Sequence, residues 1–289
     1  MKTIRLSIGI AWLWLIAPAW GQSKGTLVII GGGSRPEAII ERIILESGLR
    51  TGGYGVVLPM SSESDSAVFY ACEPFWTAGI TSLAGMNFRK GVEQTPSRLD
   101  SVRNARLIYI TGGDQERFMG VVRGTPLEQT IREAFQRGAL VAGTSAGAAV
   151  MSEAMITGNQ LQDTAYTSTF RAIAPRNLET KPGLGLVKQV LIDQHFLIRS
   201  RHNRLLTGII DFPDYLGIGI DESTAIVVNG LQAEVIGTSQ VLTISNPSKS
   251  RREQSNKLGA EGLRISIYLP GDKFTLPGPK SKAGVKPTK

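Results

Sequence analysis

Apolar residues fall along this chain in two alternating patterns. Short unbroken runs, which read as buried strands, are separated by stretches in which apolar positions recur every three or four residues, as on one face of a helix. Residues 26–30 (TLVII) form the first run and end in Gly31-Gly32-Gly33; residues 36–46 then carry Ile39, Ile40, Ile43 and Ile44 at helical spacing. Residues 54–58 read as the next strand, 66–77 as a helix and 80–83 as a strand, and 105–110 is a buried run ending in Thr111-Gly112-Gly113-Asp114-Gln115. The best-marked helix follows: Thr125 is expected to cap it, Pro126 suits its first turn, Glu128 completes a capping box and Gly138 ends it. Residues 139–142 return as a strand.

This alternation predicts βαβ units, a parallel sheet and helices on both faces. From about residue 217 the strands come closer together, at 217–220, 224–228, 233–236, 240–244 and 263–269. They read as an antiparallel C-terminal extension of the same sheet, and no internal repeat is visible.

Composition narrows the picture. With 289 residues, 42% hydrophobic and 19% charged, the chain has enough apolar material for one large core and is not disordered as a whole. A single cysteine, Cys72, excludes an internal disulfide framework and is expected in the core. The formal charge of +8 suggests nucleic acid until it is located: Lys2 and Arg5 lie at the amino end, Lys280, Lys282, Lys286 and Lys289 in an acid-free tail, and the remainder carries only +2. Nucleic acid is therefore not expected as a partner.

Residues 1–21 have the layout of a cleavable signal peptide: a basic start, an apolar stretch from Ile8 to Ile16, and Ala19-Trp20-Gly21 before the expected cut. The expected organisation is a signal peptide over 1–21, a single α/β domain over 22–276 and a solvated Lys/Pro-rich tail over 277–289. The mature protein is then secreted or periplasmic, with no membrane association after cleavage.

The chemistry centres on Gly143-Thr144-Ser145-Ala146-Gly147, a G-x-S-x-G sequence directly after a buried strand and directly before a helical pattern. A nucleophilic serine needs a sharp strand-to-helix turn, and small residues two positions away on either side let the backbone close up around it. A serine also needs a base, and the chain contains only His195 and His202. His195 ends a β-rich run, where active sites of open α/β folds gather, whereas His202 sits among Arg199, Arg201 and Arg204 at the start of a helix; position favours His195. Gly31-Gly32-Gly33 lacks dinucleotide-loop spacing and reads as a tight turn. Asp221-Glu222 has no His/Cys cluster beside it, so neither a metal nor another cofactor is expected.

Four motifs in order carry a resemblance: Gly112-Gly113-Asp114-Gln115; Gly143 to Ala148; Asp193-Gln194-His195-Phe196 with Arg199, Arg201 and Arg204; and Gly219-Ile220-Asp221-Glu222 followed by Thr224-Ala225. From about Thr26 to about Leu269 the chain resembles the cyanophycinases of serine peptidase family S51, a family that also includes α-aspartyl dipeptidases. The resemblance implies a class I glutamine amidotransferase-like fold, a three-layer α/β/α sandwich. It implies cyanophycin as substrate, an Asp-backbone polymer with arginine on each β-carboxyl, and β-Asp-Arg as product.

By the same resemblance Ser145 is the nucleophile and His195 the base, and the amides of Gly113 and Ala146 form the oxyanion hole. Gln115, Asp193, Arg201 and Arg204 line the substrate pocket, where Asp193 is expected to meet a guanidinium and the arginines to hold carboxylates. Relatives are commonly dimers, so a homodimer is a further expectation. The family places its acid between the nucleophile and the histidine. Asp163 fits best, in a stretch where the family carries glutamate, with Glu179 and Glu153 as alternatives. Tyr166 and Phe170 either line the pocket entrance or pack. The competing functions are an aspartyl or isoaspartyl dipeptidase on the same scaffold, or a non-catalytic envelope protein that binds acidic polymer.

Overall fold

The computed structural model describes residues 25–162, 167 and 169–278, so the leader, Tyr166, Asp163 and nearly all of the tail lie outside the described residues. The first half of the chain runs β1 (Thr26–Ile30), α1 (Glu37–Ser47), β2 (Gly55–Leu58), α2 (Ala67–Thr77), β3 (Leu83–Gly85), α3 (Pro96–Arg103), β4 (Leu107–Ile110), α4 (Gln115–Val122), α5 (Pro126–Gln136), β5 (Leu140–Thr144) and the single-turn α6 (Ala146–Ala149). A hairpin follows, β6 (Ala154–Gln160) with β7 (Leu178–Pro182), and then a second βαβ unit of β8 (Val190–Gln194), α7 (His202–Asp211) and β9 (Leu216–Ile220). The remainder is β10 (Thr224–Asn229), β11 (Gln232–Gly237), β12 (Val241–Ser245), the hairpin of β13 (Arg252–Gln254) and β14 (Lys257–Gly259), β15 (Arg264–Tyr268) and β16 (Lys273–Thr275).

Eight strands form the main sheet in the order β16-β11-β10-β1-β5-β4-β2-β3. The half from β1 to β3 is parallel throughout, and β10, β11 and β16 continue it antiparallel. The expected antiparallel extension therefore exists, but it takes only part of the C-terminal strands. β9, β12 and β15 leave it and join β8 in a separate four-stranded sheet, because β9 pairs in parallel with β8 across the α7 crossover. Strand pattern reports which positions are buried, and partner choice is settled by the crossover helix.

Buried positions show why the strands stack in layers. Leu27 and Ile29 of β1 face one core together with residues of α3, α4, α5 and α6, while Val28 and Ile30 face another built with α1 and α2. A strand apolar on both faces needs cover on both, and the helices supply it. The second sheet lends Ile192, Ile218 and Val241 to the first core, and its far face is covered by Leu205 and Ile209 of α7. Cys72 is buried in the α1/α2 core, and Phe170 is buried beneath α7 and does not line the cleft entrance.

The expected capping box on α5 does not form, because Thr125 makes no side-chain bond into the helix and Glu128 bonds elsewhere than to the Thr125 amide. Thr125 Oγ1 donates to Val122 O (2.6 Å) and so closes the preceding turn, while the Glu128 carboxylate accepts from Gly124 N (2.7 Å), one residue further back. α4 is capped instead by Asp114, whose Oδ1 accepts from Glu116 N at 2.7 Å and Arg117 N at 3.2 Å.

The two sheets meet where their strands end. Ser145 N donates to Ile30 O (3.0 Å), His195 N to Gly31 O (2.8 Å), Gly31 N to Thr224 O (2.9 Å) and Phe196 N to Ile220 O (3.2 Å). The carboxyl ends of β1, β5, β8 and β9 are thus tied together, and such strand ends are where open α/β folds bind ligands.

Candidate active site

Ser145 occupies the turn between β5 and α6 with φ 53° and ψ −110°, a backbone conformation that a side-chain-bearing residue adopts only under constraint. The flanking glycines supply that constraint. A Cβ on Gly143 would lie 2.3 Å from Gly147 O, and one on Gly147 would lie 2.3 Å from Ile110 O, so neither position has room for a side chain. The turn lifts the hydroxyl out of the sheet to 2.8 Å from His195 Nε2.

His195 Nδ1–H donates to Glu222 Oε1 at 2.6 Å, which leaves Nε2 unprotonated toward Ser145. Burial pushes the imidazole below its ordinary range; Glu222 opposes that shift, and the cations Arg199 and Arg201 add to it. The ring is therefore neutral at pH 7 and able to take a proton. Because the shift is downward from 6.5, the base form persists as the solution is acidified. We expect the acid limb of kcat/KM to have its midpoint below 6.5; a midpoint above that value would contradict this environment for His195.

The carboxylate beside His195 is one that the sequence reading did not single out as the acid. Asp163 lies outside the described residues, and the carboxylate on His195 is that of Glu222, in the turn between β9 and β10. Glu179 accepts from Thr157 and Asn159 and pairs with Lys181, and Glu153 lies on the surface beside Pro182 and Lys188. Asp221 ties the two loops together: Oδ1 accepts from Leu197 N and Ile198 N, both at 3.0 Å, and Oδ2 from Ser239 Oγ at 2.7 Å.

Gly31-Gly32-Gly33, read from sequence as a tight turn, belongs to the same assembly. A Cβ on Gly32 (φ 120°) would sit 2.2 Å from His195 Cε1, and one on Gly33 would meet the Glu222 side chain at 2.8 Å. The loop is bare so that imidazole and carboxylate fit against it. Gly32→Ala is expected to displace the ring and lower kcat about 100-fold, the usual cost of an ångström-scale misplacement. The check is steady-state kinetics beside an unchanged circular-dichroism spectrum.

Ser145 and His195 open into a cleft of about 280 Å³. One wall is the turn from Gly113 to Glu116, where Gly113 (φ 136°) could not carry a Cβ because Ser61 O would lie 2.1 Å away. A second wall is Thr157, Gly158 and Asn159 of β6, to which Gln115 is fastened through Nε2–H···O=C bonds to Ile156 (3.0 Å) and Thr157. The third is Gln194 with Arg199, Arg201 and Arg204, all of which reach the cleft because Arg199 and Arg201 precede α7. At the rim Glu116 and Glu179 share Lys181 and Asn159. The cleft thus presents cations on one side and carboxylates on the other.

Asp193 does not meet the cleft contents. It is fully buried and holds Arg204 in a two-pronged ion pair (Nε···Oδ2 2.8 Å, and Nη2 to Oδ1), with Arg201 Nη1 3.8 Å away. Its role is to fix the arginines behind the cleft. Arg204→Ala would leave that carboxylate buried with little compensation, and we expect a loss of about 3–5 kcal/mol in urea-unfolding stability. A loss below about 1 kcal/mol would contradict this account of Asp193.

Among the described residues no group of three His, Cys, Asp or Glu side chains is placed to hold a metal ion, and no helix is long and apolar enough to cross a membrane.

An α/β sheet that presents a hydroxyl, an imidazole and a carboxylate in one hydrogen-bonded row at its strand ends is the framework of a serine hydrolase. Residues 77–236 match the profile of peptidase family S51. A cyanophycinase of Nostoc sp. is 31% identical over 268 residues, covering 88% of this chain and 87% of that protein. One of Trichormus variabilis is 38% identical over 177 residues, 58% of this chain and 56% of its own. The crystal structure of a peptidase from an acI-B1 Actinobacterium superposes with a TM-score of 0.63 at 22% identity, covering 89% of this chain and 98% of that one, and so shares the fold. The chain belongs to peptidase family S51 and is a serine-type peptidase.

Proposed function

We propose that this protein is an exported exopeptidase that hydrolyses cyanophycin to β-Asp-Arg dipeptides, with Ser145, His195 and Glu222 as its catalytic triad. The observation that carries this reading is the hydrogen-bonded row itself, opening into a cleft with arginines on one wall and carboxylates at its rim. A substrate that bears α-carboxylates and guanidinium groups together needs both signs of charge. The similarity to cyanophycinases points to the same substrate.

Ser145 Oγ attacks the backbone carbonyl while His195 Nε2 takes its proton, and Glu222 supports the imidazolium so formed. The amides of Gly113 and Ala146 receive the oxyanion. The imidazolium then protonates the leaving amine, and water, deprotonated by the same histidine, releases the acyl group and restores Ser145. Export rests on the leader sequence, and it would direct the enzyme to polymer released by other cells.

The test is incubation of residues 22–289 with insoluble cyanophycin, following clearing and identifying products by mass spectrometry. Release of β-Asp-Arg, absent with Ser145→Ala, is the expected result. Free amino acids from short aspartyl peptides, with the polymer untouched, would instead assign a dipeptidase.

A further inference from the structure

Helix α2 carries a feature the cleft does not use. Ala71, Cys72 and Phe75 bury one side of it, and the opposite side exposes large aromatic rings: Phe69 is 52% exposed, Tyr70 61% and Trp76 39%. Phe69 packs edge-to-face on both others, with ring centroids 5.5 Å from Tyr70 and 5.6 Å from Trp76. Glu73 lies between Phe69 and Trp76 on the same stripe, four residues after one and three before the other, and makes no ion pair with any described residue. Single exposed apolar residues are ordinary, but three clustered aromatics around an unpaired carboxylate are not.

The stripe is joined to the active-site end of the molecule. Tyr70 O accepts from Arg35 Nη2, and Arg35 follows closely on the glycine loop that holds His195 and Glu222. Arg35 Nη1 also donates to the hydroxyl of buried Tyr109 (3.0 Å).

We propose that Phe69, Tyr70, Glu73 and Trp76 form an auxiliary docking surface for the arginine side chains of the polymeric substrate. Aromatic faces attract a guanidinium through their quadrupole, and a carboxylate among them adds a bidentate acceptor. A bare apolar partner surface would be poorly served by the charge at the centre of the stripe, whereas a row of guanidinium groups complements it. A polymer held at the stripe raises the local concentration of chain ends at the cleft, an avidity effect that a short soluble substrate does not enjoy. The inference rests on the arginyl-polymer reading above.

The test separates the two. Turnover of polymer by the unmodified protein examines the reading; retention on the polymer examines the stripe. On a Ser145→Ala background, the Phe69→Ser/Trp76→Ser double variant and the Glu73→Gln variant are sedimented with insoluble cyanophycin, and the same substitutions are assayed in the active enzyme. The expected result is at least fivefold weaker retention for the double variant, a smaller loss for Glu73→Gln, slower clearing of insoluble polymer, and unchanged kcat/KM on a soluble oligomer of a few arginyl-aspartyl units. Unchanged retention would overturn the proposal, as would equal losses on soluble and insoluble substrate. Light scattering that shows the double variant reduced to half the unmodified mass, with retention intact, would assign the stripe to a second copy of this chain and overturn it as well.

Discussion

Replacing Ser145 by alanine is expected to lower kcat by on the order of a million-fold while leaving a folded protein. Without the hydroxyl there is no acyl intermediate, and His195 and Glu222 have no nucleophile to activate. The folded state loses one hydrogen bond, that between Ser145 Oγ and His195 Nε2, a loss of about 1 kcal/mol. Ser145→Gly sharpens the experiment. The backbone at φ 53° and ψ −110° stores strain of about 1–3 kcal/mol in any residue with a Cβ, and glycine relieves it. The glycine variant should therefore be as inactive as the alanine variant yet unfold at higher urea than the alanine variant. Substantial turnover by either one would remove Ser145 from the mechanism. A glycine variant less stable than alanine would show that the turn is not strained.

The contrast between what the sequence made visible and what it hid has a physical pattern. β1, β2, β4 and β5 are buried on both faces, so their apolar runs stand out, and the helices α1 and α5 carry strong periodicity over eleven residues each. The turn at Ser145 was legible for a related reason: Gly143 and Gly147 are dictated by backbone contacts that no other residue survives. Short or polar elements left no such mark. α3 buries only Leu99 and Val102 in eight residues, and α6 is a single turn.

Pairing was hidden too, because β9 and β10 have similar burial patterns yet enter different sheets. The Gly31-Gly32-Gly33 loop carried a signal in plain view, three consecutive glycines at a strand end, but its cause lies at His195 and Glu222, more than 160 residues away along the chain. Asp193 sat in a motif that resemblance tied to substrate, and only its burial against Arg204 shows that its charge is already used.

Glu222→Gln is expected to cost roughly 10³- to 10⁴-fold in kcat, the size of effect seen when a triad acid is replaced by its amide. The mechanism is tautomeric. Glu222 accepts from Nδ1–H and so keeps Nε2 free for the Ser145 proton; an amide can donate to Nδ1 instead, which puts the imidazole proton on Nε2 and leaves nothing to receive the one from serine. The same substitution removes the group that opposes the burial shift on His195, so the residual activity should have an acid limb at lower pH than the unmodified enzyme. A merely structural role for Glu222 would lower activity without moving that limb.

Asp163→Asn is the paired control. Glu222 already occupies the one imidazole nitrogen that does not face Ser145, so Asp163→Asn should change kcat by no more than about twofold. Loss of activity in Asp163→Asn with Glu222→Gln unimpaired would return the acid to the segment between nucleophile and histidine. The placement of Glu222 beside His195 follows from the topology: β8 and β9 are parallel neighbours, and their carboxyl ends deliver the two side by side although α7 separates them in sequence. The proposed order Ser-His-Glu along the chain is thus what this second βαβ unit would deliver.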